Sequence, residues 1–241
     1  MGIARSPLLF RRRALAPLAL LLAGFGAGAA AAADASHPAV VELYQSQGCS
    51  SCPPANARLD AISQRADVLA LNFSVTYWDG LGWKDTFARG QFTQRQYAYA
   101  HAMGAEGVYT PQVIVNGRVK GVGADEGEIE ALMRRAERPA GPTVAIGAGA
   151  AEIGGAASPS GVADVWLVRY DPRRLEVPVL RGENAGRTLP HRNIVREFVR
   201  LGGWSGAPAR FALPAPTDPA LATAILVQAP GAGPILAAAK G

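Results

Sequence analysis

The strongest constraint on the fold of this chain is a pair of cysteines, Cys49 and Cys52, the only two in its 241 residues. The apolar stretch Ala39–Tyr44 precedes them and predicts a short buried strand. Pro53 and Pro54 follow, and proline is tolerated in the first turn of a helix, where a missing N–H costs little. The order is therefore strand, short loop, Cys-x-x-Cys and helix. A thiol at a helix N-terminus faces unpaired N–H groups and the positive end of the helix dipole, and both favour the reactive thiolate.

Three interpretations of the cysteine pair are open. A structural disulfide across so short a loop stabilises the fold by only about 2 kcal/mol in the chain-entropy model. A zinc site needs three or four protein ligands, and His101 and His191 have no ligand spacing, so we predict neither a metal nor another cofactor. A redox dithiol fits best. Cys49 would attack a partner, and Cys52, one turn into the helix, would resolve the mixed disulfide.

Residues 1–33 predict an export signal. Three arginines, Arg11–Arg13, precede an apolar run that extends from residue 14 to 33 and ends in small residues suited to cleavage. The alternative is an uncleaved membrane anchor. We expect a periplasmic or secreted protein that meets the membrane only through its export signal. Export would also place the dithiol outside the reducing cytosol, where it can be oxidised.

Removal of this segment changes the charge balance of the protein. The whole chain has 24 basic and 19 acidic residues, a net charge of +5. Four of the basic residues and none of the acidic ones lie within residues 1–33, so the mature chain is almost neutral, at +1. This balance gives no support to nucleic-acid binding. The expected partners are protein or small-molecule thiols and disulfides.

Downstream of the cysteines, the apolar pattern alternates between strand and helix periodicity. An Asn-Gly turn at Asn116–Gly117 predicts a hairpin. The predicted elements are a strand at about 39–45, a helix at 51–65, a strand at 68–75, a helix at 93–103, a hairpin at 108–119 and a helix at 126–137.

Two features within these elements supply further candidate site residues. Glu42 is an acid in an apolar strand, so it either points to solvent from an edge strand or is a buried carboxyl that moves the proton of the resolving thiol. The loop at 76–85 carries Trp78, Asp79 and Trp83, and aromatic loops on a rigid scaffold often carry function. The alternative is that both tryptophans only fill the rim of the core.

The order of elements, with Cys-x-x-Cys opening the first helix and Thr110–Pro111 before a hairpin strand, resembles the thioredoxin fold. The resemblance implies that the Thr110–Pro111 peptide bond is cis and that Thr110 pairs with a substrate strand. It also places Glu42 near the buried acid of that family, one residue further from the first cysteine. Five longer motifs of the chain are Val41–Pro54, Tyr77–Asp79, Gly82–Asp85, Tyr109–Gln112 and Arg181–Arg187. With these motifs, the chain resembles the secreted thioredoxin-like family known as domain of unknown function 1223.

The composition changes past residue 138. Pro139–Pro142 predicts a linker, and short β-like runs separated by turn residues follow at 162–170, 193–201 and 223–228. We therefore expect an α+β or α/β protein in which a thioredoxin-like domain, βαβαββα over residues 38–138, precedes a small antiparallel β-sandwich over 143–241. The polar segment 181–192 is either a plain connector or a loop that turns toward the cysteines or a partner.

Two functional hypotheses follow from these features. The first is an exported thiol–disulfide oxidoreductase, and the second is a non-catalytic binding module whose disulfide is structural and whose loops at 77–85 and 181–192 hold a partner. In the first, Cys49, Cys52 and Glu42 are the candidate catalytic residues, and Thr110, Pro111, Trp78, Asp79 and Trp83 are the candidate substrate-binding residues.

Overall fold

The computed structural model of the protein describes residues 1–3, 33–136, 141–158 and 161–241. The predicted export signal lies almost wholly outside these residues, as does part of the linker expected at 139–142. No helix within the described ranges is long and apolar enough to cross a membrane.

The N-terminal half alternates strands and helices close to the predicted positions. Its elements are β1 (Ala39–Gln45), α1 (Cys52–Ile62), β2 (Val68–Ser74), α2 (Gly90–Ala102), β3 (Gln112–Val115), β4 (Val119–Gly121) and α3 (Glu128–Arg135). Past residue 141 the described chain forms β5 (Val144–Gly147), β6 (Ala150–Ile153), β7 (Ala163–Asp171), β8 (Leu175–Pro178), β9 (Thr188–His191), β10 (Ile194–Trp204), β11 (Ala209–Ala212), β12 (Ala222–Gln228) and β13 (Ile235–Lys240).

Eight strands form one large sheet in the order β13-β12-β7-β10-β2-β1-β3-β4. β1 runs parallel to β2 and antiparallel to β3, and β10 joins the other edge of β2 in parallel. The remaining pairs in this sheet are antiparallel. Over the residues that the structure describes, the fold is therefore a mixed α/β fold with a large mixed sheet, two small antiparallel sheets and few helices.

The strands expected to form a separate sandwich over 143–241 do not do so. β7, β10, β12 and β13 instead extend the sheet of the N-terminal half. At the junction, the Asn72 N–H donates to the Asn193 carbonyl, and Asn193 Nδ2 donates to the Ala70 carbonyl, both at 2.9 Å. Because β2 is buried along its whole length, an unpaired edge would leave main-chain groups there without partners, and the C-terminal strands satisfy them.

Two-layer packing of the expected kind does occur, but one layer belongs to the large sheet. The three-stranded sheet β11-β6-β5 packs Ile153 against Leu167 of β7 and Ile225 of β12. Trp204, at the end of β10, is also fully buried in this cluster. The C-terminal half therefore has its own apolar cluster, but one of the two sheets that enclose this cluster is the large sheet shared with the N-terminal half.

The large sheet curls so that its two ends approach each other. The Ile235 N–H of β13 donates to the Asn116 carbonyl at 2.9 Å, although these residues lie near opposite ends of the strand order. Lys240 Nζ donates to the carbonyls of Arg65 and Val68, each at 2.7 Å. The inner face of the curl holds α2, and the outer face holds α1 and α3.

The two faces of β1 carry different helices. Leu43 packs with Leu59 of α1, whereas Tyr44 packs with Tyr99 of α2. Side chains alternate between the faces of a strand, so α1 and α2 lie on opposite sides of the sheet. This arrangement decides which residues can approach the cysteines at the start of α1.

Candidate functional site

Cys49 and Cys52 form a disulfide at the start of α1. The helix begins at Cys52, and Pro53 and Pro54 occupy its first turn as predicted. Cys49 lies in the preceding turn, where its N–H donates to the Ser46 carbonyl at 3.1 Å. The helix therefore starts one residue later than expected. Cys49 lies outside it, and the disulfide joins Cys49 to the first helical residue, Cys52. The Ser51 hydroxyl lies 3.4 Å from Cys49 Sγ.

Neither cysteine is open to solvent. Cys49 is 0% exposed and Cys52 is 1% exposed, although Ser50 and Ser51 between them are exposed. Part of the covering comes from the loop between β8 and β9. Asn184 Nδ2 donates to the Cys49 carbonyl at 2.9 Å and to the Gln47 carbonyl at 3.0 Å. Of the two interpretations left open for residues 181–192, the structure supports a loop that turns toward the cysteines.

Glu183 adds a charged contact beside Asn184. Its Oε2 atom accepts a hydrogen bond from the Ser50 N–H at 3.1 Å. The pKa of the exposed Glu183 carboxyl is lowered by hydrogen bonds from Ser50, and the side chain of Ser50 has a larger effect than its backbone N–H. The β8–β9 loop thus meets both a carbonyl and an N–H group of the Cys-x-x-Cys turn.

A buried carboxyl, that of Asp85, also holds the cysteine turn. Its two oxygens accept hydrogen bonds from the Gln47 N–H at 2.7 Å and the Phe87 N–H at 2.8 Å. Burial raises the pKa of Asp85, against the opposing effect of these two N–H groups. Sequence reasoning placed Asp85 within a motif but did not select it as a site residue. The signal available was an acid directly after a Trp- and Gly-rich loop.

Buried amides continue this polar layer under α1. Asn56 Nδ2 donates to the Cys52 carbonyl at 3.3 Å and to Gln45 Oε1 at 3.2 Å. Gln45 in turn donates to the Ser74 hydroxyl at 2.8 Å, and Asn72 donates to Asn56 Oδ1 at 2.7 Å. These contacts hold the first turn of α1 against β1 and β2, so the backbone around the disulfide is rigidly supported.

The predicted substrate-binding residues of the 76–85 loop connect the cysteine turn to its surroundings. Trp83 Nε1 donates to Gln47 Oε1 at 2.9 Å, and Asp79 Oδ1 accepts from the Asp85 N–H at 3.0 Å. All three predicted residues, Trp78 included, are half-buried. The indole N–H groups of the two tryptophans donate outside the loop, whereas Asp79 Oδ1 accepts within it, so the visible role of these residues is to hold the loop in place.

Trp78 links the cysteine turn to Thr110, the residue predicted to pair with a substrate strand. A Cβ built on Gly48 would lie 3.4 Å from the Trp78 Cβ, and Trp78 Nε1 donates to the Thr110 hydroxyl at 2.7 Å. The Thr110–Pro111 peptide bond is cis, as predicted. Trp78 therefore lies between the residue before Cys49, which is near its Cβ, and the residue before Pro111, which its indole contacts.

Comparison with known families places the chain. The model of a family described as a protein of unknown function, DUF1223, matches residues 40–228. The chain belongs to the DUF1223 family. No curated protein matches it in sequence.

Two solved structures are similar to this DUF1223 protein. The crystal structure of protein AGR_C_4864 from Agrobacterium tumefaciens is 32% identical, with a TM-score of 0.68, and the match covers 88% of this chain and 95% of that one. HBP35 of Porphyromonas gingivalis is 13% identical, with a TM-score of 0.55, over 86% of this chain and 75% of that one. The second likeness concerns the fold alone.

Glu42 of this DUF1223 chain lies away from the cysteine pair. It is 0% exposed on β1, a central strand, so the interpretation as a solvent-facing acid on an edge is wrong. It shares the inner face with α2, on the other side of the sheet from α1, and Arg95 donates to both of its oxygens at 2.8 and 2.9 Å. Tyr44 and Tyr99 also donate to it, at 2.8 and 2.6 Å. The structure therefore does not bring Glu42 to the thiols, and its oxygens are fully occupied by an ion pair and two hydroxyls.

The histidines of the DUF1223 chain do not gather around the cysteines as ligands. Among the described residues, no group of three or more His, Cys, Asp or Glu side chains is arranged to hold a metal ion. His191 is buried in β9, and neither ring nitrogen has a hydrogen-bond partner within the described part of the chain. Burial lowers the pKa of His191 to about 4. Its ring packs edge-on against Phe87, with 6.0 Å between the ring centroids.

Proposed function

We propose that this DUF1223 protein is an exported thiol–disulfide oxidoreductase that works through Cys49 and Cys52. The observation that carries the proposal is the bonded cysteine pair at the N-terminus of α1. Unpaired N–H groups and the helix dipole stabilise a thiolate there. The Ser51 hydroxyl, 3.4 Å from Cys49 Sγ, can donate a further hydrogen bond to a Cys49 thiolate, which supports Cys49 as the attacking thiol of the reduced protein.

The exchange reaction needs only the protein disulfide and two partner thiols. A partner thiolate attacks Cys49 Sγ, a new S–S bond forms, and the Cys49–Cys52 bond breaks, with the electron pair leaving on Cys52. A second partner thiolate then attacks the partner sulfur of the mixed disulfide and releases Cys49 as a thiolate. The two partner thiols lose two electrons and two protons in total, and the protein takes them up as two thiols. The reverse sequence oxidises the protein and reduces a partner disulfide.

We further propose that the segment from β1 to α3 is thioredoxin-like. The order of its elements supports this, as do the parallel β1–β2 pair, the antiparallel β3–β4 pair and the cis bond before Pro111. In this proposal, Thr110 offers its main chain to an extended substrate segment beside Cys49. Trp78, Asp79 and Trp83 fix the neighbouring loops rather than contact the substrate through their polar atoms.

Export and partners are part of the same proposal. The basic, apolar and small residues of segment 1–33 support a periplasmic or secreted location. An oxidising compartment suits a disulfide that is formed and broken in each cycle. The partners would be protein or small-molecule thiols and disulfides, and no cofactor beyond the dithiol is needed.

One observation favours a second candidate function, a binding module with a structural disulfide. Both cysteines are at most 1% exposed, and Asn184 packs against the Cys49 main chain. A disulfide that never opens would have this burial. The two candidates differ in redox potential, because structural disulfides have potentials below about −300 mV, whereas labile catalytic ones lie higher.

Trapping in cells tests the leading proposal. Cys52→Ser leaves Cys49 able to form a mixed disulfide that cannot resolve, so we expect partners linked to Cys49 that a reductant releases. Cys49→Ser is the matched control and is expected to capture far fewer. If neither variant captures a partner and the wild-type potential is below about −300 mV, the oxidoreductase proposal is wrong and the binding module stands.

A further inference from the structure

The β8–β9 loop occupies main-chain positions around Cys49 that a partner chain could also use. We name residues 181–187 the tip. The carbonyls of Gln47 and Cys49 both accept from Asn184, and the Ser50 N–H donates to Glu183. Two acceptors and one donor within the four residues 47–50 form a pattern that an extended polypeptide can satisfy with its own N–H and C=O groups.

Hydrogen bonds within residues 179–187 preserve the shape of the tip and join it to Val179, directly after β8. The Val179 N–H donates to the Arg187 carbonyl and the Gly186 N–H to the Val179 carbonyl, both at 2.9 Å. Arg187 also donates to Asn184 Oδ1 at 2.8 Å. These bonds lie within the loop, so the tip can leave the cysteine turn as a unit without breaking them. The hydrogen bonds to the cysteine turn that must break are those of Asn184 and Glu183.

The tip also packs closely against the loop at 76–85. A Cβ built on Gly182 would lie 3.3 Å from the Trp83 Cβ and 3.5 Å from the Leu81 carbonyl. Leu81 is 62% exposed, and Leu180, which precedes the tip, is 74% exposed. Two exposed leucines therefore flank the tip, one in space and one in the chain, where they are free to contact apolar side chains of a partner.

We propose that the tip controls access to Cys49 and selects partners whose cysteine lies in an extended polypeptide. Asn184 is the specificity-determining residue. Exchange requires it to release the Gln47 and Cys49 carbonyls, and a polypeptide replaces these hydrogen bonds with its own main chain, whereas a small thiol does not. This inference rests on the proposed oxidoreductase function and explains how a disulfide with no exposed sulfur can still exchange.

The first test measures the rate at which N-acetylcysteine reduces the disulfide of the full chain. Asn184→Ala removes two hydrogen bonds of ordinary net strength, so we expect reduction about tenfold faster or more. Glu183→Ala keeps the buried amide, leaves an exposed position and should be about threefold faster. Glu176→Ala, an exposed acid on β8 of the same hairpin, is the matched control and should keep the wild-type rate. Wild-type rates in both tip variants would overturn the proposal.

The second test compares an unstructured peptide that contains one cysteine with N-acetylcysteine at equal thiolate concentration. The wild-type protein should react faster with the peptide, and Asn184→Ala should reduce that preference several-fold. A preference that is absent in the wild type, or unchanged in Asn184→Ala, would contradict the selection of polypeptides. If Asn184→Ala does not fold, the same comparison in Glu183→Ala decides. Trapping with Cys52→Ser reports the oxidoreductase function separately, because it does not depend on how the tip changes the rates.

Discussion

Acidification should destabilise the protein because His191 is buried, and burial disfavours its protonated form in the folded state. Its pKa is lowered to about 4 by burial, whereas a histidine in the unfolded chain has a pKa of about 6.5. Below pH 6.5 the unfolded chain therefore binds a proton that the folded protein does not, so stability falls as the pH falls toward 4. Each pKa unit corresponds to about 1.4 kcal/mol, and the contribution lost at pH 4.5 is about 2.5 kcal/mol.

Urea denaturation of His191→Phe and wild type at pH 7.5, 6.5, 5.5 and 4.5 measures this term. Phenylalanine keeps an aromatic ring against Phe87 but cannot bind a proton, so its stability relative to wild type should rise as the pH falls. The difference between the two proteins should change by about 2.5 kcal/mol between pH 7.5 and pH 4.5. The difference cancels the contributions of the titratable groups that the two proteins share.

The control for this measurement is His101→Phe, at an exposed position near the end of α2. It should keep the pH dependence of the wild type. If His191→Phe also follows the wild type in parallel across the whole range, His191 titrates as an ordinary histidine, and the reasoning from its burial is refuted.

Three further predictions concern the residues around the disulfide. In the reduced protein, Cys49 should react with an alkylating reagent faster than Cys52, because Ser51 can donate to its thiolate; mass spectrometry of partly alkylated protein measures this, and equal rates contradict it. Glu42→Gln should lower the free energy of unfolding by about 3–5 kcal/mol, because it breaks a buried ion pair with Arg95, while the exchange rate per folded molecule stays at the wild-type value; a slowed exchange would restore Glu42 as a proton acceptor. Asp85→Asn leaves one of its two N–H donors without an acceptor and should cost about 1–3 kcal/mol in urea denaturation; an unchanged midpoint would show that these hydrogen bonds contribute little.

The local parts of the fold could be predicted from the sequence because short-range rules decide them. A strand, a short turn and two prolines placed the start of α1 within one residue of its position at Cys52. The Asn-Gly pair placed the turn between β3 and β4, and both residues have the positive φ that such a turn needs. The cis bond before Pro111 followed from the family resemblance and the place of the proline at the start of a strand.

The course of the C-terminal strands could not be predicted in the same way. Their alternating patterns identify strands but do not say which edge each strand pairs with. β10 pairs with β2 because the buried edge of β2 needs hydrogen-bond partners, and Asn193 supplies both a carbonyl and an amide there. That need arises only once the sheet has formed.

The candidate site likewise combines features that the sequence predicts with contacts that only the folded structure shows. The sequence by itself determined the cysteine pair, its place before a helix and the aromatic loop beside it, because each is encoded by neighbouring residues. Only the tertiary structure decided that Glu42 pairs with Arg95 on the other face of the sheet and that Asn184 covers Cys49. These contacts join residues 53 and 135 positions apart. No local periodicity encodes them, since they depend on which strands pair and on how the sheet curls.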